Sequence, residues 1–258
     1  MESRTQALLD QPSCLRRSRA AAIVEKASTP RPRDCTITIN GIELLADRSG
    51  ALYWPDEGLL VAADLHLEKG SAYATRGLLL PPYDTAATLG QLAWVIAYYD
   101  PRTVIALGDS FHDPCGAARL SEEDRRALAS VQHGRDWIWV AGNHDPIPAG
   151  SLDGKYVESI ACGRLQFRHE PSVRPCAGEI AGHLHPSARI SQRGRTLIRR
   201  CFAASDQRLV LPAFGAYAGG LNIRDYAFLR VFRTLSFIAH LIGERAIYAL
   251  PASRCLGW

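Results

Sequence analysis

Of the eight histidines in this chain, six stand at or beside the ends of short apolar runs: His66, His112, His144, His169, His183 and His185. Asp64, Asp109 and Asn143 occupy the same run ends. A lone histidine is usually structural or exposed, but six gathered with carboxylates and a carboxamide point to metal ligation. Oxygen and imidazole donors without sulfur suit Mn²⁺, Fe²⁺, Zn²⁺ or Mg²⁺ better than copper or an iron–sulfur cluster. The two histidines of Gly182-His-Leu-His185 would face opposite sides of a strand. A turn after Gly182 is therefore needed to bring both to one place.

The groups have to be positioned by strands that end along one edge. Residues 103–107, Thr-Val-Ile-Ala-Leu, stop at Gly108-Asp109. Residues 59–63 run into Asp64-Leu-His66, residues 137–141 into Gly142-Asn-His-Asp145, and residues 179–181 into Gly182. In open α/β sheets, ligands bind at this carboxyl edge. Upstream, Asn40-Gly41 between two alternating runs reads as a hairpin turn, and residues 51–54 pair with 59–63. Helices are expected over 67–76, over 84–98 with Asp84 or Thr85 as cap, and from the Ser121-Glu-Glu-Asp124 capping box to His133-Gly134. Past Gly150 the pattern turns to short strands at 156–159, 164–168, 188–191, 196–199 and 208–211. A closing hairpin is expected over 236–242 and 245–250. The order predicts an α/β chain of two mixed sheets packed together with helices outside.

At 258 residues and 47% hydrophobic composition, the chain can bury a sizeable core. No apolar run is long enough to span a bilayer, and the first residues lack the apolar segment of a secretory signal. Seven scattered cysteines without a C-x-x-C pair fit reduced thiols and a cytoplasmic location. Residues 1–34 are rich in Arg, Ser, Ala and Pro and read as a disordered tail with a short helix over 20–26. Residues 35–258 are expected to form a single domain. The net charge of +4 is unevenly spread: −8 over 35–154, where most candidate ligands lie, and +6 over 155–210. The basic stretch could face a polyanion or simply be a solvated face.

Taken in order, Asp64-x-His66, Gly108-Asp109, Gly142-Asn143-His144-Asp145 and Gly182-His183-x-His185 resemble the motif set of the calcineurin-like metallophosphoesterases. The match can be narrowed. Ala63-Asp-Leu-His-Leu-Glu-Lys-Gly70, Leu80-Pro-Pro-Tyr-Asp-Thr85, Gly108-Asp-Ser-Phe-His-Asp113 and the small-residue stretch 211–221 resemble the bacterial ligase-associated DNA-damage-response phosphoesterases of the PdeM type. That resemblance implies a four-layer α-β-β-α sandwich and two divalent metal ions, most often Mn²⁺. Asp64, His66, Asp109 and His185 would hold one ion, and Asp109, Asn143, His169 and His183 the other, with Asp109 bridging. It also implies a DNA endonuclease or phosphodiesterase of bacterial DNA repair, with ligase, helicase or nuclease associates.

In such two-metal chemistry a shared, activated hydroxide attacks a phosphodiester in line. His144 would stabilise the transition state or protonate the leaving oxygen, and Asp145 would orient that imidazole or cap the next turn. His112 would bind phosphate or brace a ligand. Arg193 and Arg195, with Arg189, Arg199 and Arg200, flank an expected hairpin and could carry single-stranded or flexible DNA past the site. A small-molecule or nucleotide phosphodiesterase using the same ligands is the alternative. A non-catalytic scaffold fits a complete ligand set poorly.

Overall fold

The computed structural model describes residues 34–146 and 152–257. The expected tail and its short helix lie outside these, except Asp34, which opens the first strand. β1 (Asp34–Ile39) and β2 (Ile42–Asp47) pair across Asn40-Gly41, whose φ angles of 50° and 77° belong to a type I′ turn. β3 (Leu52–Trp54) and β4 (Leu59–Ala62) continue the antiparallel run. β5 (Thr103–Leu107), β6 (Asp136–Val140) and β7 (Lys155–Val157) then extend it in parallel from β4. Parallel strands are covered on both faces, which is why β4 and β5 read as unbroken apolar runs.

The second sheet has nine strands. Its main path is β14 (Leu221–Asn222), β11 (Pro186–Gln192), β12 (Arg195–Ala204), β13 (Arg208–Val210), β10 (Glu179–Ala181), β9 (Leu165–Arg168) and β8 (Ser159–Cys162). β15 (Ile238–Ile242) pairs with β12 and carries β16 (Ile247–Pro251) as its hairpin partner. The five α-helices among the described residues are α1 (Lys69–Ala74), α2 (Asp84–Tyr99), α3 (Gly116–Arg119), α4 (Glu122–Gln132) and α5 (Tyr226–Phe232).

Three apolar layers hold these parts together. Leu44, Ile105 and Val140 meet Phe167, Phe202 and Leu209 between the sheets. Leu92 and Val95 of α2 and Leu128 of α4 cover Val104 and Trp139 on the outer face of the first sheet. Phe228 and Val231 of α5 cover Ala203, Val210 and Phe237 on the second. The result is the expected α-β-β-α order, with one short helix as the last layer. That helix carries no periodic signal, because Tyr226 to Phe232 is a short, mostly apolar run, equally readable as a strand. β12 runs ten residues, far past the expected four. Contrary to expectation, Asp84 and Thr85 do not cap α2; their side chains reach back to α1 instead. Among the described residues no helix is long and apolar enough to cross a membrane.

Candidate metal centre

β4, β5, β6 and β10 all end at one edge, and the loops beyond them carry the ligand residues. The loops after β4 and β5 run side by side: the His66 N–H donates to the Asp109 carbonyl at 2.9 Å and the His112 N–H to the Leu67 carbonyl at 2.9 Å. Turning the side chains to a common point takes left-handed backbone. φ is 54° at Asp64, 44° at His66, 46° at Asp109, 67° at His183 and 44° at His185. Non-glycine residues rarely adopt this conformation, Asp, Asn and His most readily among them. The expected turn after Gly182 is made by this device at both His183 and His185. Two glycines let the loops close up. A Cβ at Gly142 would fall on the Asp109 backbone nitrogen and carboxylate, and one at Gly215 would strike the Leu65 carbonyl.

Two ligand clusters result. Asp64, His66 and His185 form one; Asp109, His169 and His183 form the other; within each, the ligand atoms lie inside 4.8 Å of one another. The His66 and His185 Nε2 atoms approach to 3.3 Å, and His185 Nε2 is 3.3 Å from Asp64 Oδ1. In the second cluster His169 Nε2 is 3.3 Å from Asp109 Oδ2, 2.9 Å from Asn143 Oδ1 and 3.2 Å from His183 Nδ1. Paired imidazole nitrogens facing each other beside a carboxylate form a nest of lone pairs that a cation between them would satisfy. Their spacing and the all-nitrogen, all-oxygen donor set fit a dinuclear metal centre.

The electrostatics follow from the same crowding. Burial first, then the charge of His185, pushes the His66 pKa down to about 3, so it stays a neutral donor. Burial works against charge at Asp109 as well, but the hydrogen bond from His169 and its charge pull the carboxyl down to about 2. At His169 burial likewise opposes protonation, and the Asp109 and Asp64 carboxylates outweigh it and raise the pKa.

His144 stands over this centre without joining either cluster. Its backbone N–H donates to Asp109 Oδ1 at 2.9 Å, and its Nε2 is 3.9 Å from Asp109 Oδ2. Its Nδ1 meets the His112 carbonyl at 2.9 Å, which makes Nδ1 the N–H nitrogen. The His112 ring stacks on His144 with centroids 5.1 Å apart. Burial, Lys69 and His144 push the His112 pKa down, with Arg76 adding to them.

Asp145 does not orient His144, one of the two roles expected for it. Its Oδ2 accepts from the Ser110 and Phe111 N–H groups at 2.8 and 3.0 Å, bracing the loop that carries Asp109. Burial raises its pKa to about 6. Arg193 and Arg195 flank the tight β11–β12 turn, which Arg193 and Gly194 make with φ of 51° and 75°. The seven residues of β11 separate that turn from His185, about 23 Å at strand rise, so these arginines are not brought to the metal centre.

Three further partners carry no signal in the sequence. The carbonyls of Leu107, His112 and Gly219 lie 3.3, 2.9 and 3.2 Å from ring nitrogens of His169, His144 and His185. A carbonyl has no residue signature; only the small residues around Gly219 hint at close approach. That stretch does line the ligand loop: the Phe214 and Gly215 N–H groups donate to the Ala63 and Asp64 carbonyls at 2.8 and 3.1 Å.

No protein-family model matches the chain, and no curated protein does. Solved structures do. The nuclease MPE of Pseudomonas putida matches with a TM-score of 0.67 and 28% identity, covering 84% of this chain and 100% of that one. The phosphoesterase Yfce of E. coli is a more distant likeness, with 14% identity and a TM-score of 0.38 over 75% of this chain and 98% of that one. Layer order, convergent ligand loops and likeness to the Pseudomonas protein together identify the chain as a metal-dependent phosphoric-ester hydrolase with the calcineurin-like metallophosphoesterase fold.

Proposed function

We propose that the chain is a DNA endonuclease working through a manganese-preferring dinuclear centre. The observation that carries this reading is the 28% identity to a nuclease across 84% of the chain. Asp64, His66 and His185 would hold one cation, Asn143, His169 and His183 the other, and Asp109 would serve both. Cations bound there supply Lewis acidity toward a phosphodiester and activate water at neutral pH.

The chain's own residues do the rest. His144 presents Nε2 over the centre, while its Nδ1–H is tied to the His112 carbonyl. Protonated at Nε2 as well, it is placed to hand that proton to the leaving oxygen. His112 stacks on that ring and limits its rotation. Asp145, through Ser110 and Phe111, fixes the loop on which Asp109 stands. The substrate is single-stranded or flexible DNA, and the setting is bacterial DNA repair beside ligase, helicase or nuclease associates. The support for that setting is the motif resemblance.

The test is the purified protein in Mn²⁺ with circular single-stranded DNA, duplex DNA and bis-p-nitrophenyl phosphate. Nicking of the circular strand is expected. Efficient hydrolysis of mononucleotides or cyclic nucleotides with no nicking of any DNA would make it a small-molecule phosphodiesterase instead.

A further inference from the structure

On one side of the metal centre a row of side chains leads outward. His66 and His112 lie 5.5 Å apart, centroid to centroid. Tyr73 is a further 5.5 Å from His112, and Lys69 Nζ sits 5.9 Å from the centre of the Tyr73 ring. Lys69 and Tyr73 belong to α1, which begins three residues after ligand His66. The proposed hydrolytic mechanism uses neither.

The row is held in place by contacts that α1 could not supply alone, since six residues make a marginal helix. The Glu68 carboxylate, 7% exposed, accepts from the Thr85 hydroxyl at 3.0 Å and the Ser71 hydroxyl at 2.6 Å. Asp84 accepts from the Gly70 N–H at 3.0 Å, and Arg119 Nε donates to the Ser71 hydroxyl at 2.9 Å. α1 is therefore bolted to α2 and α3 next to the ligand loop.

The row also has donors to spare. The Lys69 ammonium donates to the Tyr217 carbonyl at 2.9 Å; of its three donors, two have no partner among the described residues. Of the carboxylates nearby, Asp113 is paired with Arg119 at 2.8 and 3.0 Å, whereas Asp84 and Glu68 accept only from neutral donors, and the Asp84 charge favours the Lys69 ammonium. Arg76 is exposed just past the helix. A second anion beside the bound phosphodiester would meet the spare donors of Lys69 and the exposed charge of Arg76.

We infer that Lys69 and His112, spaced by the Tyr73 ring, form a subsite for the phosphate adjacent to the one being cleaved. Lys69 and His112 contact that phosphate; Tyr73 is a positioning residue, touching both. This rests on the nuclease reading and deepens it. The preferred substrate carries at least two consecutive phosphates, so a polynucleotide is favoured over an isolated diester.

The experiment is a comparison of three substrates with the Mn²⁺-loaded protein: thymidylyl-thymidine, and the same dinucleotide with an added phosphate at its 5′ or its 3′ end. In the parent, one added phosphate should raise kcat/KM about tenfold, the worth of one charge-assisted hydrogen bond. Lys69→Ala should reduce that ratio to about one, Lys69→Arg should restore most of it, and Tyr73→Ala should lower it partway. Because the readout is a ratio within each variant, a poorly folded variant cannot imitate the result. A parent ratio of one at both ends, or a ratio unchanged in Lys69→Ala, would overturn the subsite and leave the nuclease reading standing. Failure of the parent to cut any dinucleotide or DNA, with bis-p-nitrophenyl phosphate still hydrolysed, would overturn both.

Discussion

The metal centre and the β11–β12 turn both present groups that bind phosphate, and they are built in opposite ways. At the centre, each of His144, His169 and His185 has a ring nitrogen beside a fixed carbonyl, and five ligand residues sit in left-handed backbone. At the turn, Arg193 and Arg195 are exposed, with no side-chain partner among the described residues. Long, unbraced side chains lose much of their electrostatic gain to entropy and screening, whereas a braced cluster keeps it. The difference teaches that positive charge in a sequence marks where an anion can go, while bracing marks where chemistry can happen.

The comparison breaks most easily at the centre, where the largest effect is expected. Chelation should abolish hydrolysis of every substrate, and Mn²⁺ should restore it best. Asp109→Ala, which removes the carboxylate nearest His169, should lose metal from at least one site by direct metal analysis, together with activity. Full activity after exhaustive dialysis in chelator would mean that the converging imidazoles serve some other purpose.

His144→Ala should rank second. Both metals should stay, and the rate on DNA should fall about 10²–10⁴-fold, as for loss of a general acid. The fall should be smaller on bis-p-nitrophenyl phosphate, whose leaving group hardly needs a proton. Equal losses on both substrates would leave His144 as an electrostatic group without proton transfer.

Much of this centre is legible in the amino-acid sequence. Apolar runs ending in Asp, His or Asn mark strand ends, and strand ends in a parallel sheet share an edge. All seven ligand residues expected from the motif order lie in the two clusters or, for Asn143, within 2.9 Å of one. What is not legible has two physical causes. Bracing by backbone carbonyls is written in no side chain, so sequence leaves Asp145 either to orient His144 or to cap the next turn, when the His112 carbonyl meets the His144 ring. Distance along a strand is also invisible to a charge count: the +6 of residues 155–210 gathers arginines from the ligand edge and from the far end of β11 into one number. In the fold, α5 is hidden for want of periodicity over seven residues.

The hairpin arginines sharpen the comparison from its weaker side. A strand reaching from the centre to Arg193 must cover about 23 Å, roughly seven nucleotides when stacked at 3.4 Å each and fewer when extended. Replacing Arg193 and Arg195 by alanine should therefore weaken binding only of longer strands, by a few-fold. The salt dependence should fall by at most about 1.4 in slope for two lost phosphate contacts. A dinucleotide should be bound equally by both proteins in a fluorescence anisotropy titration. Equal binding of long strands across the salt series would make the hairpin a solvated face.

The smallest effect concerns His240, a histidine outside the centre. It stands on β15, is half-buried, and its Nδ1 lies 3.6 Å from the Cys35 sulfur of β1. Burial lowers its pKa from 6.5 to about 4. No carboxylate is paired with it among the described residues, unlike His169, so nothing there offsets the cost of charging it in the fold. The folded chain thus keeps His240 neutral in a range where the unfolded chain protonates it. Its contribution to stability is complete above about pH 6.5 and is lost as the pH falls from there through about 4. The slope is at most about 1.4 kcal/mol per pH unit, and less in practice because the ring is partly solvated. His240→Gln removes this titration while keeping a polar group in the same space. Its Tm should therefore fall less than the parent's between about pH 7 and about pH 4.5. The comparison is made in chelator, so that metal release from the centre is common to both proteins. Parallel Tm curves across that range would show that His240 charges freely in the folded state and that burial there is too slight to matter.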